Sequence, residues 1–252
     1  MPRYEFRTPR LYIKAALSAG GTVSLDRDQA NYLLNVLRLK SGQDVLVFNG
    51  RDGEWQASLM ESGRRRATLA IAAQLRPQPP SGDLHFLFAP LKHARLDYLV
   101  QKAVEMGASY LQPVITRHTQ VARVNIERMR ANVVEAAQQC GVLAVPGVGA
   151  PIKLDAATGD QGRLLVFCDE DADVKDPVTV LGEAKAGLLR PASIAVLVGP
   201  EGGFADEERA ALLERPRVVR IALGPRILRA DTAAVAALTL VQAVLGDWLA
   251  AD

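Results

Sequence analysis

Two apolar runs in the last quarter of the chain each end in a Gly-Pro dipeptide and lead from there into a helix. The first reads Ala195-Val196-Leu197-Val198-Gly199-Pro200-Glu201-Gly202-Gly203-Phe204. The second reads Val218-Val219-Arg220-Ile221-Ala222-Leu223-Gly224-Pro225-Arg226-Ile227-Leu228-Arg229-Ala230-Asp231-Thr232. A glycine-proline loop at the carboxyl end of a buried strand presents backbone N–H and C=O groups with no side chain in front of them. Gly202 and Gly203 permit positive φ and the close approach of a flat ligand, while Pro200 and Pro225 fix φ and stiffen the loops. Two such loops make a cradle. Arg226 and Arg229 belong at the carboxyl edge of the sheet, where open α/β folds bind ligands. Plainer readings stand beside these: a simple turn, a solvated or ion-paired arginine, and for Asp231 a cap on the helix that follows.

Such loops need a sheet to hold them. Leu84–Phe88, Tyr110–Ile115, Leu164–Cys168, Ala195–Val198 and Val218–Leu223 read as buried strands separated by helices, the pattern of a parallel sheet covered on both faces. His93–Met106 reads as a helix with Leu96, Leu99, Val100, Ala103 and Val104 on one stripe and Gly107 as its stop. Asn125 is placed to cap a helix that turns Ile126, Met129, Val133 and Ala137 inward and ends near Gly141. The breaker-rich stretch 76–83 reads as a linker. Before it, Leu11–Ile13, Val45–Phe48, Glu54–Leu59 and Ala67–Ala72 read as strands, with a hairpin turn at 48–53 and a short helix over Asp28–Leu37. Residues 1–76 are therefore expected to form a small β-rich barrel, a shape suited to presenting RNA-binding surface, and residues 77–252 an α/β domain. The last helix, from Thr232 to about Leu249, is apolar on almost every side. Either its own domain wraps it or a second subunit covers it, and the second reading is preferred because chain ends usually lie at the surface.

Composition narrows the chemistry. The chain has 252 residues, 49% hydrophobic and 23% charged, the balance of a globular protein. No uninterrupted apolar stretch is long enough for a membrane span, and the basic, broken first 20 residues do not read as a signal peptide. Cys140 and Cys168 are far apart and only His85, His93 and His118 are available. No structural zinc or disulfide framework is expected, and a reducing cytoplasm fits. Dinucleotide, Walker, nucleophile-elbow and zincin motifs are absent. Residues 1–80 hold 12 Lys/Arg against 7 Asp/Glu, whereas residues 161–252 hold 10 against 14. A basic amino-terminal third joined to an acidic remainder suggests that one part meets a polyanion, with a solvated basic face as the alternative.

At the paired loops the chain resembles the SPOUT-class methyltransferases that act on N3 of a uridine in 16S ribosomal RNA. Gly199-Pro200-Glu201-Gly202-Gly203 and Leu223-Gly224-Pro225-Arg226-Ile227-Leu228-Arg229 match that family's two signatures closely. Pro9-Arg10-Leu11-Tyr12, Val36-Leu37-Arg38, Lys102 with Glu105-Met106-Gly107, Pro113 and Gln139-Cys140-Gly141 follow in the family's order. Three departures stand out. Ala230-Asp231 replaces a usual Thr-Glu, Val142 replaces an arginine, and Arg117-His118-Thr119 stands where an arginine is expected after Pro113.

The resemblance implies an amino-terminal PUA-like RNA-binding barrel and a carboxyl-terminal SPOUT domain closed by a deep trefoil knot. It also implies a homodimer, S-adenosylmethionine bound in the knotted loops, and a substrate in the small ribosomal subunit, with no metal. Leu197, Gly199, Pro200, Glu201, Gly202 and Gly203 of one loop and Leu223, Gly224, Ile227 and Leu228 of the other are the expected cofactor seat, with Glu170 as a further candidate. Arg229 is expected to stabilise the uracil anion and Asp231 to accept its proton. Arg10, Arg38, Lys102 and Arg226 are the expected phosphate contacts. A ribose 2′-O or other base methyltransferase of the same superfamily, or a non-enzymatic ribosome-assembly factor, are the alternatives.

Overall fold

A computed structural model describes residues 7–61, 67–121, 123–160, 162–173, 176–188 and 192–249. It divides into two compact units, one of Met1–Pro80 with Ala137–Val145 and one of Ser81–Ala136 with Pro146–Asp252.

In the first unit, β1 (Arg10–Tyr12) and β2 (Thr22–Ser24) precede helix α1 (Arg27–Asn31), which continues as a π-helical turn over Tyr32–Val36. Strands β3 (Asp44–Phe48), β4 (Glu54–Glu61) and β5 (Ala67–Arg76) follow, and the sheet order is β1-β3-β4-β5-β2. The β1–β3 pair is parallel and the others antiparallel. Alternation decides which face is buried: Ala57 and Leu59 on β4 and Ala67, Leu69 and Ile71 on β5 point into one core with Leu11, Val45 and Val47. Asp26 and Gln29 form a capping box at the start of α1. The helical segment ends with Arg38 at φ +56°, and the Leu39 N–H reaches the Leu33 carbonyl at 2.9 Å. The hairpin turn at 48–53 closes on Asn49, whose Oδ1 accepts the N–H groups of Arg51 and Asp52 at 2.9 and 2.8 Å.

The second unit alternates strands and helices. β6 (Leu84–Phe88), α2 (His93–Glu105), β7 (Tyr110–Ile115) and α3 (Ile126–Cys140) lead to the short β8 (Gly147–Val148), β9 (Ile152–Lys153) and α4 (Leu154–Ala157). Then come β10 (Leu164–Cys168), α5 (Pro177–Lys185), β11 (Ile194–Val198), α6 (Asp206–Leu213), β12 (Val218–Ile221) and α7 (Ala230–Val244), with a 3-10 turn at Asp247–Leu249. The order is β12-β10-β11-β6-β7-β8, with β9 also on β7, and every pairing is parallel. β10 and β11 are buried along their whole length, as a sheet covered on both faces requires. Asn125 caps α3 through Oδ1, which accepts the Arg128 N–H at 3.0 Å, and Gly107 ends α2 at φ +81°.

The last helix starts two residues before the expected Thr232, because Arg229 rather than Asp231 stands at its N-cap. Ala234, Ala237, Leu238 and Val241 are buried, and α7 packs on α2, α5 and β11. The unit itself therefore wraps one stripe of this helix, while Val235, Thr239, Leu240 and Val244 remain partly exposed.

Candidate active site at the carboxyl edge of the parallel sheet

The strand order places three loops together. Cys168, the last residue of β10, is in register with Val198 of β11 on one side and Ile221 of β12 on the other. The loops that follow these strands leave the sheet at one level. Two strand spacings put the starts of the two Gly-Pro loops about 10 Å apart, and the Asp169-Glu170-Asp171 segment rises between them.

The first Gly-Pro loop turns tightly. The Gly203 N–H donates to the Pro200 carbonyl at 3.0 Å, and Gly203 sits at φ +68°. A Cβ on Gly203 would overlap Oε1 of Glu170, and one on Gly199 would strike the Phe204 ring. Glycine is needed at Gly199 for space and at Gly203 for its positive φ, since the exposed Glu170 carboxylate can swing aside. Phe204 packs edge-on against Phe167 with ring centroids 5.0 Å apart, which pins the loop's exit into the core. The Leu197 side chain also lies in that core, fully buried, so Leu197 offers a ligand only its backbone. Pro200 is buried and Glu201 exposed, with Arg95 Nη1 3.5 Å from Glu201 Oε1. His118, from the turn after β7, puts Nδ1 at 3.1 Å from the Gly202 carbonyl oxygen and 3.2 Å from that of Gly203.

The middle loop is held by charge. The Asp169 carboxylate is fully buried and accepts from Arg209 Nε at 3.0 Å and Arg220 Nε at 2.7 Å. Arg209 also pairs with Glu170 at 3.7 Å and Asp171 at 3.0 Å. The three carboxylates lie within 4.8 Å of one another, and these guanidiniums offset their repulsion. Burial and the adjacent Asp169 push the Cys168 thiol up to about 12, which makes it an inert core group.

In the second Gly-Pro loop Gly224 has φ +100° and open space where a Cβ would stand. Arg226 and Ile227 are exposed, Ile227 completely, while Leu223 and Leu228 are half-buried. Arg229 is exposed at the N-cap of α7. Asp231 stands in the helix's first turn, where its Oδ1 accepts the Thr232 N–H at 2.9 Å. It is not the cap that the sequence suggested.

The expected phosphate contacts separate on inspection. Arg10 is buried: its Nε donates to Glu54 at 2.5 Å and its Nη1 to the Gln138 carbonyl at 3.3 Å. A guanidinium committed in this way is a structural group, so the expectation of an RNA contact at Arg10 is corrected. Lys102 is half-buried, pairs with Glu105 at 2.7 Å and sits 5.5 Å from the centre of the Tyr98 ring. Arg38 and Arg226 are exposed, and neither makes an ion pair among the described residues. Asp169 and Arg209 carry no signal in the sequence, and His118 stands out there only as part of a departure from the family pattern. Each acts through a partner tens of residues away, and no local spacing announces such a pairing. A groove of about 550 Å³ between α4 and α6 is lined by Arg117 but by none of the residues expected to hold the cofactor, the RNA or the reacting base.

Comparison with known proteins places this geometry among relatives. Residues 77–242 match the model of an RNA methyltransferase domain, and residues 25–72 that of an RNA methyltransferase PUA domain. The ribosomal RNA small subunit methyltransferase E of Rickettsia conorii is 30% identical over 234 residues, 92% of this chain and 94% of the relative. A crystal structure of the enzyme of that name from Neisseria gonorrhoeae, bound to S-adenosyl methionine, superposes with a TM-score of 0.81 at 28% identity, covering 96% of this chain and all of that one. A Legionella pneumophila methyltransferase in complex with the same cofactor gives 0.79 at 27% identity over 94% of this chain and 98% of that one.

Proposed function

Since the chain belongs to the RNA methyltransferase family, with a PUA domain before its α/β domain, we propose that it transfers a methyl group from S-adenosylmethionine to N3 of a uridine in 16S ribosomal RNA of the small subunit. The observation that carries this reading is the convergence of two glycine-lined loops and the Glu170 segment at the ends of three adjacent strands. The residues there suit the donor. Gly224 has open space where a Cβ would stand, and Ile227 beside it offers exposed apolar surface for a flat adenine. Glu170 and Glu201 bring carboxylates toward a cationic ligand.

When bound, the donor supplies an electrophilic methyl group. The chain's own residues must do the rest. Uracil N3 becomes nucleophilic only as its proton leaves. Arg229 is assigned to the two flanking carbonyl oxygens, where a planar guanidinium meets developing negative charge. Asp231 is assigned to accept the N3 proton, directly or through water. Orientation of donor and acceptor accounts for several kcal/mol of the barrier, on the order of 7 in favourable cases. Arg38 and Arg226 are assigned to RNA phosphates. A base reaches such a site only when unstacked. A carboxyl-terminal trefoil knot, a homodimer built on α7 and a place in the cytoplasm belong to the same proposal.

The test is nucleoside analysis. Small subunits from a strain lacking the modification, incubated with the protein and a deuteromethyl donor, are expected to yield labelled 3-methyluridine from 16S RNA. Label in a ribose 2′-O-methyl nucleoside or another base would overturn the assignment to N3, and no label would overturn the enzymatic reading.

A further inference from the structure

His118 lies outside every motif that carries the functional reading, yet its ring is the group that grips the Gly202-Gly203 backbone. Nδ1 is 3.1 Å from the Gly202 carbonyl oxygen and 3.2 Å from the Gly203 carbonyl oxygen. Carbonyls only accept, so Nδ1 must carry the proton. The first peptide plane is fixed at both ends, because the Gly203 N–H on its opposite side donates to the Pro200 carbonyl at 3.0 Å. In the next plane the bond to the Gly203 carbonyl turns the Phe204 N–H away from the ring.

His118 is exposed, but the backbone that carries its imidazole is held. The turn carrying it is closed by Thr119, whose Oγ1 accepts the Thr116 N–H at 2.9 Å and lies 2.9 Å from Thr116 Oγ1. Glu208 then ties this turn to the start of α6. Its Oε1 accepts the Arg117 N–H at 2.9 Å and its Oε2 accepts the Ala205 N–H at 3.1 Å. One carboxylate thus bridges the residue before His118 and the residue that ends the glycine loop. Two consecutive glycines have the largest backbone freedom of any pair, and a loop that must meet a ligand through its backbone gains affinity when that freedom is removed beforehand.

We propose that His118 is a positioning residue of the cofactor seat, its Nδ1–H holding the Gly202 and Gly203 carbonyls so that the loop is set before S-adenosylmethionine arrives. This rests on the reading of the two Gly-Pro loops as that seat. Asparagine places an amide N–H close to the Nδ1 position, whereas glutamine places one near Nε2, so the two substitutions separate a specific hydrogen bond from bulk. In calorimetric titrations with S-adenosylmethionine, His118→Ala and His118→Gln are expected to raise Kd about tenfold, and His118→Asn to stay within threefold of the wild type. All three are to be checked for unchanged circular dichroism and melting temperature without donor. If the wild type binds and all three variants bind equally well, His118 has no such role. If His118→Asn loses affinity together with the others, or if affinity falls only in step with melting temperature, the specific hydrogen bond is refuted and His118 is an ordinary structural residue. If the wild type itself does not bind, the seat is wrong and this assignment falls with it.

Discussion

Arg229 stands at the amino end of α7, where unpaired peptide N–H groups already concentrate positive charge. A cation there opposes the helix dipole by roughly 0.3–1 kcal/mol, and it occupies the N-cap, which favours Ser, Thr, Asp or Asn. Arg38 breaks another local rule. At φ +56° it holds a left-handed conformation where glycine usually ends a helix, at a cost of about 1–2 kcal/mol. Neither has an ion-pair partner among the described residues, while Arg10, Arg76, Arg163, Arg209 and Arg220 all do. Side chains kept against local preference and left unpaired mark contacts to something outside the chain. Arg229→Ser is therefore expected to abolish methyl transfer in initial-rate assays, to leave donor affinity within a few-fold, and to raise unfolding stability by about 1 kcal/mol. Arg38→Gly is expected to weaken RNA binding and lower its salt slope by about 0.7 for a single-stranded contact. Its denaturation midpoint should be equal or higher. A fall in stability in either variant would return that arginine to the scaffold.

At the scale of elements, the first unit closes around Glu54. This carboxylate on β4 receives Arg10 of β1 and Arg76 of β5, at 2.5 and 2.8 Å. Burial alone would raise its pKa, but the hydrogen bonds from Arg76 and Arg10 outweigh that and hold it below the ordinary 4.5. A depressed carboxyl pKa contributes stability that is complete above the unfolded value and lost as pH falls through the folded one. Glu54→Gln should therefore cost about 3 kcal/mol at neutral pH, by leaving two guanidiniums short of their charge. It should also flatten the loss of stability below pH 4.5, read from urea midpoints across the acid range. The clamp was invisible in the sequence, because Arg10 and Glu54 meet through the pairing of β1, β3 and β4, which no local spacing encodes. Loops rich in Gly and Pro were legible, as their conformations follow from residue type alone. The long strands and α2, α3 and α7 were legible from periodicity. Two- and three-residue strands such as β2, β8 and β9 carry too few side chains to show a period, and the helix ahead of Arg38 gave no sign of its π turn. Glu170, a cofactor candidate from the sequence, has its carboxylate beside Gly203. What put it there, the insertion of β10 between β11 and β12, became visible only with the strand order.

Across the whole molecule, charge and apolar surface are distributed for two tasks. The excess of Lys/Arg lies in residues 1–80 and the acidic excess in residues 161–252, which fits the proposal that RNA is met mainly by the first unit and the donor by the second. No helix among the described residues is long and apolar enough to cross a membrane. The partly exposed face of α7 around Leu240 and Val244 is the surface that the proposed homodimer would cover. Leu240→Arg is expected to shift the protein toward monomer in sedimentation velocity, and a wild type that is monomeric at micromolar concentration would remove the dimer from the account. In the proposed reading, three loops at one sheet edge form a single seat for S-adenosylmethionine. Hydrogen–deuterium exchange with and without that donor tests it most directly. Simultaneous protection of residues 169–173, 199–205 and 222–229 is the expected result. Protection confined to the groove between α4 and α6, or no protection anywhere, would contradict it.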